Sequence, residues 1–179
     1  CRGSPPSGPN FVKSNREVLA LALSGAFGIL AALASFLPAK PVFVWNFSAS
    51  APTGLYRMLV RPARKGDWVA LNPPSHIRAL LSEVRRSSGS RFLIKRMAAI
   101  EGDVVCRHDD TVTINGVVAA KAVGRHIGEF ALPVWQGCQT LIANEAFFLG
   151  EAERSFDSRY FGPLETSSLI GPLVKLDFH

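Results

Sequence analysis

The chain has 179 residues, carries 20 Lys and Arg against 14 Asp and Glu, and is 47% hydrophobic. That length suits one domain with an appendage and excludes a large multidomain assembly. The net charge of +6 fits anionic lipid or plain solubility, but no stripe of basic and aromatic residues tracks a nucleic-acid backbone, so no nucleic-acid partner is expected.

Residues 1–17 come first, with Arg2, Lys13 and Arg16 set against Glu17 alone. Val18–Leu37 follows, twenty residues without a charge, closed by Pro38. At about 1.5 Å per residue an Ala- and Leu-rich helix of that length spans roughly 30 Å, the thickness of a bilayer core. The excess of positive charge before it puts the N-terminus in the cytoplasm and residues 39–179 outside. This divides the chain into a cytoplasmic segment (1–17), a transmembrane anchor (18–38) and an exported domain (39–179). Two other readings stay open. Ala32-Leu33-Ala34 resembles the cleavage site of a removable signal peptide, although such apolar cores run to about 7–15 residues. A buried core helix is the other, although it would lack any polar face.

The exported part reads as β-rich. Pro41–Phe47 is an apolar approach segment. Gly54–Val60 and Asp67–Leu71 are predicted strands around a turn at Arg61–Gly66. Pro73-Pro74-Ser75 introduces a short helix over Ile77–Val84, with Ser75 as its N-cap. The basic run His76–Arg91 reads as a solvated helix and loop, with contact to lipid headgroups as the other reading. Arg91–Ile100, Val104–Arg107 and Thr111–Ile114 are further strands, with His108-Asp109-Asp110 as a turn. Asn115-Gly116 before Val117-Val118 is a two-residue hairpin signal. Thr140–Ala143, Ala146–Leu149 and Leu173–Phe178 complete the set. The fold class expected is therefore mostly β, a barrel or sandwich with one short surface helix and one N-terminal transmembrane helix.

Two residues bear on chemistry. Ser50 lies in Ser48-Ala49-Ser50-Ala51-Pro52, shortly after the apolar run, and Lys95 interrupts the apolar sequence Phe92-Leu93-Ile94. A serine hydroxyl becomes a good nucleophile only when a neighbour takes its proton. A lysine can be that neighbour if its amine is neutral, which requires its ordinary pKa of about 10.4 to fall by several units through desolvation. On a strand, Leu93, Lys95 and Met97 share one face, the setting for such a pocket. Taken singly, the serine is equally a loop residue and the lysine an edge residue whose amine reaches water. None of the four histidines sits in a pattern that favours a Ser–His–Asp triad. Cys106 and Cys138 have no CxxC spacing and so no zinc pattern. Each reads either as a small buried hydrophobe or, in an exported domain, as half of a Cys106–Cys138 disulfide. No metal and no cofactor are expected.

Three blocks occur together in order. Ser48-Ala49-Ser50-Ala51-Pro52-Thr53-Gly54-Leu55-Tyr56 resembles the nucleophile box of type I signal peptidases. Ile94–Asp103 (IKRMAAIEGD) resembles their lysine box, and Gly150–Gly162 (GEAERSFDSRYFG) their C-terminal box, one residue shorter. The resemblance covers about residues 45–178. Ser-Ala-Pro-x-Gly-Leu-Tyr at Ser50–Tyr56, together with Trp135-Gln136-Gly137-Cys138 and Ser155–Tyr160, resembles the TraF-type branch of conjugative transfer systems, whose members mature pilin precursors.

The resemblance implies a membrane-anchored serine endopeptidase with a periplasmic catalytic domain on a bacterial inner membrane. Its partners would be an exported precursor, membrane lipid and the conjugation apparatus. Ser50 would be the nucleophile and Lys95 the general base. The Ser50 N–H and the Ser48 hydroxyl would form the oxyanion hole, Ser155 would hold the lysine amine, and Asp157 and Arg159 would form a supporting ion pair. Phe43, Val44 and Met97 are guesses for pocket or membrane-docking residues. Two departures bear on this. Glu151-Ala152 replaces the Asp-Asn of housekeeping relatives, and the deletion aligns Ser155 only when counted back from Asp157. A housekeeping-type signal peptidase and a non-catalytic membrane-anchored assembly factor are the alternatives.

Overall fold

The computed structural model describes residues 42–84, 92–124, 126–127 and 130–177, with residues 19, 23–26 and 28–29 of the N-terminal run. The chain separates into two compact units, Cys1–Lys40 and Pro41–His179. In the first, the described residues are helical, and most of the anchor predicted over 18–38 lies outside them. Among the described residues no helix is long and apolar enough to cross a membrane.

The second unit is built on a seven-stranded antiparallel sheet. Its strands are β1 (Phe43–Asn46), β2 (Gly54–Met58), β3 (Trp68–Leu71), β4 (Leu93–Ala99), β11 (Glu145–Leu149), β12 (Leu164–Glu165) and β13 (Leu169–Lys175), in the order β1-β2-β13-β3-β4-β11-β12. A four-stranded sheet joins β5 (Val104–His108), β6 (Thr111–Ile114), β7 (Val117–Lys121) and β10 (Gly137–Thr140) in the order β10-β5-β6-β7. Two-residue strands β8 (His126–Ile127) and β9 (Phe130–Ala131) pair with each other. Each larger sheet ends on two edge strands, β1 and β12 in one and β10 and β7 in the other. The expected mostly-β class holds, and of the two architectures expected, barrel or sandwich, a closed barrel is not formed.

Local chemistry explains several elements. Asn115 and Gly116 both take positive φ (52° and 79°), the backbone that a tight two-residue hairpin needs, and so turn β6 into β7. The helix α1 (Ser75–Val84) starts two residues earlier than its apolar pattern suggests. Pro74 supplies the first carbonyl, which accepts from Arg78 N at 2.9 Å, so Ser75 lies inside the helix rather than capping it. Ile77, with Leu80 and Leu81 one helical turn after it, packs with Ala122, Leu132, Phe156 and Tyr160.

Three departures have physical causes. Phe43–Asn46 is a strand because it pairs with Gly54–Arg57 across the intervening loop. β13 begins at Leu169 and runs through Gly171-Pro172, a pair that reads as a break. A register shift between Leu169 and Gly171 accommodates it, and Pro172 O still accepts from Leu59 N. β10 lies at Gly137–Thr140, before the predicted Thr140–Ala143, because its register with β5 sets Cys138 opposite Cys106. Those two cysteines are joined as a disulfide.

The core around the site is shared between sheets. On one side Val69, Leu71, Leu93, Met97, Ala146, Phe148 and Leu164 pack together. Phe147 and Leu149 pack with Ala99, Val105, Val112 and Leu141. β11 is therefore buried on both faces, which holds its C-terminal end in place for the residues that follow.

Candidate active site

The last residue of β1, Asn46, organises the loop that carries Ser50. Its Nδ2 donates to Ala51 O at 2.8 Å and to Ser48 O at 2.9 Å, and lies 3.2 Å from Pro52 O. Its Oδ1 accepts from Ser48 N at 3.0 Å and from Ser48 Oγ at 2.9 Å. Tyr56, the buried residue of β2, adds a bond from its hydroxyl to Pro52 O at 2.7 Å. Burial, then the nearby Glu151 carboxylate, pushes the Tyr56 phenol up, so it remains a donor over the physiological range. The loop thus receives side-chain bonds in place of a regular backbone ladder.

Lys95 comes from the middle of β4, opposite Val69 on β3 and on the face of Leu93 and Met97. It is only 1% exposed. Its Nζ donates to Ser50 Oγ at 2.9 Å and to Ser155 Oγ at 2.5 Å, and the Ser155 hydroxyl donates to Ser50 Oγ at 3.1 Å. Three side chains separated by 45, 60 and 105 positions in sequence form one buried triangle. Neighbouring Arg96 points to the opposite face, where its guanidinium lies 4.6 Å from the Trp68 ring centre. The alternation expected of a strand therefore holds through Lys95.

The third corner is set by the segment after β11. Gly150 N donates to Asp157 Oδ2 at 2.7 Å, and Gly150 O accepts from Arg159 Nη2 at 2.9 Å. Glu151 N donates to Ser50 O at 2.9 Å, which ties this segment to the serine loop. Asp157 caps the four-residue helix α2 (Ser158–Phe161) by accepting from Arg159 N. It also takes a two-pronged ion pair from Arg159, at 2.8 Å from Nε and 3.0 Å from Nη2. The rest of the Arg159 fork reaches Glu153 O and Lys121 O. Asp157 has no exposed surface and Arg159 is 3% exposed, yet every donor direction is met. Among the described residues no buried side-chain polar atom lacks a partner. A pair this deep is tolerated because hydrogen bonds replace the lost water.

The structure thus brings Ser50, Lys95 and Ser155 into direct contact, and Asp157 and Arg159 hold the backbone of Gly150, whose neighbour Glu151 bonds Ser50 O. Ser48 lies in the same loop, with its hydroxyl given to Asn46 rather than aimed at open space. Phe43 is exposed on the edge strand, while Met97 is buried in the core and lines no surface. Two residues were missed from sequence. Asn46 shows no signal beyond a polar residue closing an apolar run. In sequence Gly150 stands out only as part of a block, yet a Cβ there would lie 2.1 Å from Ser155 Oγ and 3.1 Å from Ser50 O. Only a residue without a side chain lets these two segments meet.

The profile of the family described as signal peptidase, peptidase S26, matches residues 16–175. A plasmid transfer protein TraF of Escherichia coli is 30% identical over 166 residues, covering 84% of this chain and 89% of that protein. A conjugal transfer protein TraF of Agrobacterium tumefaciens (strain 15955) is 33% identical over 135 residues, 70% of this chain and 76% of that protein. Signal peptidase I V of Bacillus subtilis (strain 168) is 29% identical over 92 residues, 45% of this chain and 55% of that protein. Among solved structures, a signal peptidase I of Enterococcus faecalis V583 overlaps with a TM-score of 0.38 at 22% identity, over 65% of this chain and all of that one. The chain belongs to the peptidase S26 family of signal peptidases, and within it is similar to TraF proteins of plasmid transfer.

Proposed function

We propose that this protein is a membrane-anchored serine endopeptidase that removes signal or leader peptides from exported precursors. In this reading Ser50 is the nucleophile, Lys95 the general base, and the precursor a pilin-like subunit of a conjugative transfer system. The contact between Lys95 Nζ and Ser50 Oγ, at 2.9 Å inside an apolar enclosure, carries the reading. Desolvation favours the neutral amine of a buried lysine, and that is the form a base requires. The similarity to two TraF proteins supports the conjugative setting. The uncharged run 18–37 supports the anchor, with the N-terminus in the cytoplasm and residues 39–179 in the periplasm.

The chemistry follows from the contacts. Ser50 Oγ attacks the scissile carbonyl carbon while its proton passes to Lys95 Nζ. The carbonyl oxygen becomes an oxyanion, taken by Ser50 N–H and by the Ser48 hydroxyl, which turns away from Asn46 to reach it. Lys95 then returns the proton to the leaving amine, and the peptide bond breaks to leave an acyl group on Ser50. Water, deprotonated by Lys95, releases the acyl group and regenerates the serine. Ser155 keeps Nζ aligned through both halves, and Asp157 and Arg159 hold the segment from which Ser155 comes.

The test is co-expression of the full chain with candidate exported precursors, followed by mass analysis of the products. Ser50→Ala and Lys95→Ala are each expected to lower cleavage by about 10³-fold or more with the fold retained. Wild-type processing by Ser50→Ala would instead favour a non-catalytic assembly factor on this scaffold.

A further inference from the structure

We propose that Cys106, His108 and Cys138, when the disulfide is reduced, form a binding site for one thiophilic divalent cation of the zinc type. The spacing of the cysteines in sequence gives no such indication, but the sheet does. Cys106 and His108 are two residues apart on β5 and so share a face. β10 runs antiparallel beside β5 with Cys138 directly opposite Cys106. The two Sγ atoms and a ring nitrogen of His108 all lie within 4.8 Å of one another. Cys138 Sγ is 3.8 Å from His108 Nε2. A tetrahedral zinc ion, with metal–sulfur bonds of about 2.3 Å and metal–nitrogen bonds of about 2.0 Å, spaces sulfur and nitrogen about 3.5 Å apart and two sulfurs about 3.8 Å apart. The sulfur–nitrogen spacing is nearly met as it stands. The sulfurs need only separate once their bond is opened.

The frame around these ligands does not depend on the disulfide. β10 and β5 are paired along four residues, Gly137–Thr140 against Val104–Arg107. Gln136 closes the end of the pair by accepting from Asp109 N and donating to Asp109 O, both at 3.1 Å. Arg107, between the two ligands on β5, points to the buried side, where its Nη1 donates to Arg159 O at 2.6 Å and its Nε to Asp109 O at 2.9 Å. The strand that carries two of the three ligands is thereby pinned from behind. β10 is exposed along its length, and His108 is exposed as well, so the fourth coordination position opens to water.

The balance of the chemistry is simple. A dithiol gives two electrons and two protons to the sulfur–sulfur bond and is itself oxidised to a disulfide. A phosphine gives the two electrons and becomes its oxide, while water supplies the oxygen and the two protons. Either leaves two thiols. The cation then displaces the two thiol protons and takes neutral imidazole as its third ligand, so two thiolates offset its charge. Disulfide and metal-bound dithiolate are mutually exclusive states of the same face.

The site shares no residue with the Ser50–Lys95 cluster, and its readout is metal binding rather than peptide cleavage, so its failure leaves the peptidase reading untouched. The experiment uses the full chain in detergent, reduced with a phosphine and desalted without oxygen, then titrated with Co²⁺ and, in competition, Zn²⁺. One Co²⁺ per chain is expected, with a thiolate-to-metal charge-transfer band and the visible bands of tetrahedral cobalt. Cys138→Ser should lose about half of the charge-transfer intensity and at least 10-fold in affinity. His108→Ala, which keeps both cysteines and can still be checked for folding in its disulfide form, should bind about 10–100-fold more weakly. Binding by the oxidised chain equal to that of the reduced chain would overturn the proposal. So would reduced wild type binding no better than the Cys106→Ser/Cys138→Ser double variant, no loss of affinity in His108→Ala, or collapse of the circular dichroism spectrum on reduction alone.

Discussion

At the end of β11 the charged and polar side chains are buried and spend their hydrogen bonds on one another, whereas on β5 and β10 the sulfur and imidazole groups face solvent at a sheet edge. Ser50, Lys95, Ser155, Asp157 and Arg159 are all less than a tenth exposed, and the bonds among Ser50, Lys95 and Ser155 join segments far apart in sequence. Cys138 and His108 are exposed, and their geometry comes from two adjacent paired strands. The first arrangement shuts its groups away from solvent and holds them in fixed mutual contact, as the proposed reaction requires. The second leaves room for exchange with solvent, which suits a bond or ligand that comes and goes. Removing a member should therefore cost far more in the buried region than at the edge.

The largest effect expected is the loss of precursor cleavage in Ser50→Ala and Lys95→Ala. Next is Asp157→Ala, which would strand the buried Arg159 guanidinium and free Gly150 N. Loss of about 3–5 kcal/mol is expected, read as a shift of the urea midpoint; a shift within that of a surface substitution would show that the pair is not structurally required. Gly150→Ala forces a methyl group onto Ser155 Oγ. Overpacking of this kind costs about 1–3 kcal/mol, and cleavage should fall much more than stability, because Ser155 is displaced from Lys95. Equal activity in Gly150→Ala would mean that the segment moves aside freely. Asn46→Ala removes the side-chain bonds of the serine loop and leaves the Ala51 and Ser48 carbonyls to find other partners, at a cost of about 1–3 kcal/mol. Its cleavage rate should fall with little change in substrate binding.

The smallest effect belongs to the surface near the edge sheet and depends on pH. The Lys65 ammonium, then the backbone N–H of Ile100 and the Asn115 amide, hold the Asp103 carboxyl down to about 2 from an ordinary 3.8. A carboxylate lowered on folding stabilises the fold above its unfolded pKa, and that contribution disappears as pH falls through the folded value. The wild type should lose stability between about pH 4 and pH 2 through this group. Asp103→Asn should flatten that part of the curve, measured as the thermal midpoint across the window.

Much of the candidate site was legible because its residues stand in short blocks. Ser48–Tyr56, Ile94–Asp103 and Gly150–Gly162 keep their order, and strand alternation already assigns Lys95 to the apolar face of Leu93 and Met97. Asn46 was not legible, since its three acceptors lie in a loop whose path no local pattern specifies. β13 was misread at Gly171-Pro172 because a proline that breaks an isolated strand is tolerated where a neighbouring register shift absorbs the missing donor. Sequence left barrel and sandwich open because alternation reports which face is buried and not whether the last strand meets the first.

By itself the order of residues determined the mostly-β character and the tight hairpin at Asn115-Gly116, and it singled out Ser50 and Lys95 as candidates. These depend on local backbone preference and on short motifs. Tertiary structure alone decided that the Ser155 hydroxyl also reaches Ser50, that Gly150 must have no side chain, and that Cys106, His108 and Cys138 share one face. Those facts depend on contacts between segments whose separation in sequence carries no distance information, so only the packing of the sheets could establish them.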